Sequence, residues 1–107
     1  MIITTLEVPP GYRIKEVKGV VSAGSVLARH LGKDILASLR NLFGGEVKEY
    51  TEVMAEARER SLLRLARKAE ALGANAVVGI RFTTSAIASN AAEVMVYGTA
   101  VVLEKET

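Results

Sequence analysis

From Glu93 to Glu104 the chain alternates so that Val94, Val96, Gly98, Ala100 and Val102 fall on one side of an extended strand, and Met95, Tyr97, Thr99, Val101 and Leu103 on the other. Neither side is polar. A strand of this kind has to be covered on both faces. A chain of 107 residues has room for one domain and one modest core, so 1–107 reads as a single domain. Helices can cover one face of the sheet, and the second face then needs a cover of its own. A second copy of the chain is the natural one, because an open apolar face is an aggregation liability. The alternative is a monomer whose N-terminal strands fold across that face.

The helices come from the middle of the chain. Between Glu46 and Leu72, Val47, Tyr50, Met54, Ala57, Ser61, Leu62, Leu65, Ala69 and Leu72 recur at spacings of three and four, which lays one stripe along a helix. Acids come early (Glu46, Glu49, Glu52, Glu56) and bases late (Arg60, Arg64, Arg67, Lys68), the polarity that suits the helix dipole. Glu56 and Arg60 are spaced as a favourable i,i+4 pair. At about 1.5 Å per residue this helix runs roughly 40 Å, long enough for part of it to lie against another chain. Gly73 stands where a left-handed cap is expected.

Ile2 to Leu6 reads as a first strand that ends at the turn Pro9-Pro10-Gly11. Tyr12 to Ser22 reads as a second, in which the apolar phase switches between Ile14 and Val17 and a bulge near Glu16 reconciles the halves. Gly19 and Gly24 mark a close backbone approach. Ser25 to Gly32 reads as loop or frayed helix. Asp34 is an N-cap for a short helix that buries Ile35, Leu39, Leu42 and Phe43 and stops at Gly44-Gly45. After Gly73, Ala76, Val78, Ile80 and Phe82 alternate with Val77, Gly79, Arg81 and Thr83, and Thr84 to Ala92 reads as a hairpin loop with Ser89-Asn90 near its tip. The expected class is α+β: a small antiparallel or mixed sheet of about four strands packed on two helices, in the order β-β-α-α-β-β.

Half of the residues are hydrophobic and the chain carries no cysteine. Disulfides, thiol nucleophiles and thiolate metal sites are thereby excluded. The 14 bases and 12 acids are interleaved, so the pI near 9.1 does not describe a basic stripe for nucleic acid. Arg58, Arg60, Arg64, Arg67 and Lys68 form the densest basic segment; it lacks interleaved aromatics, and a solvated helix face is the simpler account. The start of the chain has no signal-like pattern and no apolar run approaches about 18 residues. The expectation is a soluble, cytoplasmic protein without nucleic-acid or membrane partners.

No catalytic constellation emerges. His30 has no Cys beside it, no serine elbow occurs, and Gly24 to Asp34, with its Gly32-Lys33, misses the phosphate-loop spacing. Glu46 and Glu49 read as dipole partners, Met54 and Met95 as core. No cofactor is identified. A metal ion would have to be gathered between subunits from His30 or Asp34, and perhaps Glu46, because one subunit offers too few ligands.

The ordered set Ile3-Thr4-Thr5, Gly19-Val20-Val21-Ser22, Asp34 before Ser38-Leu39-Arg40, Gly44-Gly45, Tyr50, Ala57-Arg58, Ala69, Leu72-Gly73-Ala74-Asn75-Ala76-Val77-Val78-Gly79 and Gly98-Thr99-Ala100-Val101 resembles the YbjQ-like, UPF0145 family. Members are small bacterial and archaeal proteins, some labelled heavy-metal-binding domains. The resemblance implies a dodecin-like subunit in a homopentameric ring, with short strands joining neighbours and no established activity. It draws attention to Asp34, Arg40, Tyr50 and Asn75 as ligand-binding candidates, and to His30 and Asp34 as metal ligands. Asn75 also reads more simply as the residue that orders the turn after Gly73. Two departures weaken a carboxylate-built metal site: Arg81-Phe82-Thr83-Thr84-Ser85 and Ala23-Gly24-Ser25 stand where relatives often carry acids. The function expected is a non-enzymatic oligomeric module that holds a small ligand or ion between subunits, with metal binding as the alternative.

Overall fold

Among the described residues, strand-forming segments fill both ends of the chain and a helix-forming run lies between them. The structure, a computed structural model, describes residues 1–26, 48–88 and 91–107. In chain order its elements are β1 (Ile2–Ile3), β2 (Tyr12–Val26), α1 (Lys48–Ala71), β3 (Ala76–Ala88) and β4 (Ala91–Lys105). The strands form one sheet in the order β1-β3-β4-β2. β1 runs parallel to β3, while β3 with β4 and β4 with β2 are antiparallel. The result is an α+β fold with a mixed four-stranded sheet and, among the described residues, one helix. The helix expected from Asp34 and its Gly44-Gly45 stop lie outside the described residues.

Several boundaries differ from the sequence expectation. β2 does not end at Ser22, and Ser25 is not loop: Ala23, Gly24 and Ser25 continue to pair with Val96, Met95 and Val94. A Cβ on Gly24 would stand 3.2 Å from the Val94 carbonyl oxygen, which explains a glycine in that position. Thr84 to Ala88 and Ala91 to Ala92 are strand, not hairpin loop, and Ala88 pairs with Ala91. Small polar side chains misled the reading because their neighbours in the ladder, not their propensity, hold them extended. β1 is shorter than expected, but Thr4 and Leu6 continue along the edge of β3. The Thr4 N–H donates to the Val77 carbonyl, and the Thr4 and Leu6 carbonyls accept from Ile80 and Gly79.

The end of α1 follows from Gly73, whose φ of 82° lies in the left-handed region. The Gly73 N–H donates to the Glu70 carbonyl and the Ala74 N–H to the Ala69 carbonyl. This pair of bonds is the Schellman arrangement, and Ala74 packs into the same cluster as Ala69. One row of α1, Ala57, Ser61, Leu65 and Ala69, is fully buried, with Met54 and Leu62 half-buried beside it. Three of the four are small, so the helix lies close to the sheet. Leu72, expected in the stripe, is exposed because the helix stops at Ala71. The Glu56–Arg60 pair forms at 2.7 Å on the outer side.

Residues paired across a ladder share a face, so the register sorts the sheet. Val21, Ala23, Val96, Ala100, Val77 and Ile80 lie under α1 and form the main core with Leu65 and Ala69. On the other face Ala76, Val78, Val101 and Leu103 form a smaller cluster, against which Ile2 and Tyr12 pack. Three irregularities set this sorting. Between Val78 and Arg81 the register with β4 shifts, and Gly79 has a φ of 61°, the glycine-first form of β-bulge. The bulge moves Ile80 and Phe82 onto the face of Val77, which corrects the strict alternation expected across Gly79. In β2 the register shifts between Ile14 and Glu16 and again between Val17 and Gly19, one shift on each side of the place where a single bulge was expected. As a consequence Ile14, Val17 and Val20 pair with Leu103, Val101 and Thr99, and all three stand on the face away from α1.

Candidate functional site

The face away from α1 has no cover over much of its length among the described residues. At its end near β1, Ile2 and Tyr12 pack against the smaller buried cluster; both belong to edge strands of the same sheet, so the N-terminal strands widen this face and do not fold across it. Beyond them Val17 is 63% exposed, Val20 79% and Tyr97 41%. Ile14 and Val26 on the same face are also exposed. Both bulges of β2 direct apolar side chains here, where regular alternation would have divided them between the faces.

Within this face lies an open groove of about 420 Å³. Ile14, Val17, Val78 and Val101 supply its apolar walls, Thr99 a hydroxyl and Gly79 a stretch of bare backbone. Two charged residues, Glu7 and Arg81, also line it. The bulge at Gly79 is what turns Arg81 to this side, opposite Tyr97 in the ladder. Nη1 of Arg81 donates to the Ile80 carbonyl at 2.7 Å and to the Thr5 carbonyl at 3.2 Å, so the guanidinium is anchored at one corner. Glu7 and Arg81 do not pair with each other, and among the described residues neither makes an ion pair.

The outer edge of β2 is treated differently. Arg64 Nη1 donates to the Gly24 carbonyl and Lys68 Nζ to the Ser22 carbonyl, each at 2.7 Å. These two cations, one helical turn apart on α1, occupy carbonyls that an added strand would use. The basic segment is therefore not wholly a solvated face: part of it fastens α1 to the sheet. Below it Ser61, fully buried, donates to the Ala57 carbonyl at 2.8 Å and approaches the Ser25 hydroxyl at 3.5 Å.

The residues singled out from sequence do not converge in the described part of the chain. Asn75 immediately precedes β3, and its amide group donates to the Leu103 carbonyl at 2.9 Å and accepts from the Leu103 N–H at 2.7 Å. Tyr50 lies in the first turn of α1. His30, Asp34 and Arg40 lie outside the described residues, as does Glu46. Among the described residues no three His, Cys, Asp or Glu side chains come together as a metal site requires, so this part of the chain does not fit a heavy metal. No described helix is long and apolar enough to cross a membrane. Sequence reasoning missed Glu7 and Arg81. The legible signal was the phase break at Gly79, which decides the side on which Arg81 emerges.

A family model described as "Putative heavy-metal-binding" matches residues 1–104. A UPF0145 protein of Thermococcus kodakarensis is 61% identical over 106 residues, spanning 99% of this chain and 93% of that one. A UPF0145 protein of Thermotoga maritima is 56% identical over 105 residues, spanning 98% of this chain and 99% of that one. Among solved structures, the crystal structure of a protein of unknown function from Pediococcus pentosaceus matches with a TM-score of 0.65 at 24% identity, covering 97% of this chain and 98% of that one. At that identity the likeness speaks to the fold alone.

Proposed function

The chain belongs to the YbjQ-like family, UPF0145, and from that premise we propose that it works as a subunit of a homo-oligomer, a non-enzymatic module that holds a small ligand between or beside its copies. The contact surface is the sheet face away from α1. The observation that carries the reading is the row Val17 and Val20, 63% and 79% exposed and paired with Val101 and Thr99 on the face away from α1. The occupant proposed is a second copy of this chain. Mid-face the only charged side chain placed by the described ladder pairs is Arg81, so the surface does not call for a strongly charged partner. A stable contact takes about 800 Å² from each partner, and a chain with extents of 57 and 24 Å in its two long directions has that area to offer. Five copies in a ring is the assembly we put forward.

Val20→Lys tests the contact directly. The side chain is exposed, so the subunit still folds, but a buried unpaired charge would oppose association. Sedimentation velocity of the variant should show a single chain where the unmodified protein sediments as a multiple. An unchanged multiple would place the contact elsewhere and overturn this assignment of the face.

A further inference from the structure

We propose that the groove between Arg81 and Ile14 is a binding site for a small apolar monocarboxylate. The inference deepens the ligand half of the reading above and does not need the assembly, because every group it uses belongs to one chain. The exposed apolar wall of the groove is Ile14 and Val17, with Val78 and Val101 buried at its floor, and its volume of about 420 Å³ falls within the usual range for small-molecule sites, roughly 300 to 1,000 Å³. Such walls select an alkyl or similar body.

The head group follows from Arg81. A guanidinium presents its donors as a planar fork that matches a carboxylate in a bidentate manner. Here Nη1 is already engaged by the Ile80 and Thr5 carbonyls, while Nε and Nη2 make no hydrogen bond to the described residues. The side chain is thus held in place before a ligand arrives, which lowers the ordering cost of binding. Glu7 fixes the charge of the ligand. It lines the same groove without pairing to Arg81, so it opposes a second anionic group and disfavours dicarboxylates or phosphates. An apolar body with a single carboxylate is what remains.

The test is isothermal titration of the full-length protein with sodium octanoate, with octylammonium and octanol as comparison probes and the native mass of each sample recorded. Octanoate should bind, and both comparison probes should bind at least about tenfold more weakly, as expected for loss of a charge-assisted contact. Arg81→Gln should weaken octanoate by about tenfold or more. Val17→Asp, which leaves the Arg81 bonds intact, should weaken it as well by placing an acid in the wall. Glu7→Gln should tighten binding. Equal binding of octylammonium, indifference to Arg81→Gln and Val17→Asp, or weaker binding in Glu7→Gln would overturn the proposal. Absence of octanoate binding in a sample of multiple mass removes the ligand and leaves the assembly. Binding that depends on Arg81 in a sample of single-chain mass supports the ligand and removes the assembly.

Discussion

At the scale of single residues the clearest device is Asn75. Its side-chain amide closes two hydrogen bonds with the main chain of Leu103, its N–H donates to the Val101 carbonyl, and its own carbonyl accepts from Ile2. One residue therefore ties β1, the start of β3 and the end of β4 at the point where the chain leaves α1. Asn75→Ala strips both side-chain bonds from the main chain of Leu103, a buried residue. A loss of roughly 1–3 kcal/mol in unfolding free energy is expected, measured by urea denaturation with an unchanged slope. The sequence places Asn75 after a cap and predicts that its amide orders the local turn, whereas both side-chain bonds go to Leu103. Its partner 28 positions away was invisible, because only the β3–β4 register brings Leu103 there. Gly98 is similar: a Cβ there would lie 2.9 Å from both Val77 and Ile80 side-chain carbons, a constraint set by packing across the sheet and not by its neighbours in sequence.

At the scale of elements, α1 was the most legible part of the chain and the bulged strands the least. The buried row Ala57, Ser61, Leu65, Ala69 is the stripe that its three-and-four spacing predicts. Leu65 is the one large side chain in that row and is wholly buried. Leu65→Ala should cost about 2–5 kcal/mol, readable as a lower denaturation midpoint, whereas Leu63→Ala on the exposed side should change little. The strands resisted because period two holds only while the ladder is regular. Ile14, Val17 and Val20 are spaced by three, which a plain strand would split between faces, and two register shifts return them to one. Gly79 does the same to Ile80 and Arg81. Composition could locate the glycines, but only pairing with β4 decided which side chains crossed over. The cations Arg64 and Lys68 were visible as charge, and their carbonyl partners on β2 were not.

At the scale of the whole molecule the two faces of the sheet are unequal. One is sealed by α1; on the other, among the described residues, Ile2 and Tyr12 pack against a smaller buried cluster at the β1 end while Val17 and Val20 stay exposed. The doubly apolar last strand announced this inequality: its even side packs under the helix and its odd side reaches the open face. The edges of the sheet are partly blocked, by Thr4 and Leu6 along β3 and by Arg64 and Lys68 along β2, so the open face, set against a different surface of the next copy as a closed ring of five requires, is the favoured contact. The ligand candidates from sequence were least legible, since Asp34, Arg40 and His30 fall outside the described residues and Asn75 is engaged with Leu103. The most direct test of the account is native mass spectrometry of untagged protein. A mass that is a multiple of 11.4 kDa, with five as the number proposed, is the result the account predicts. A single-chain mass at micromolar concentration would contradict it.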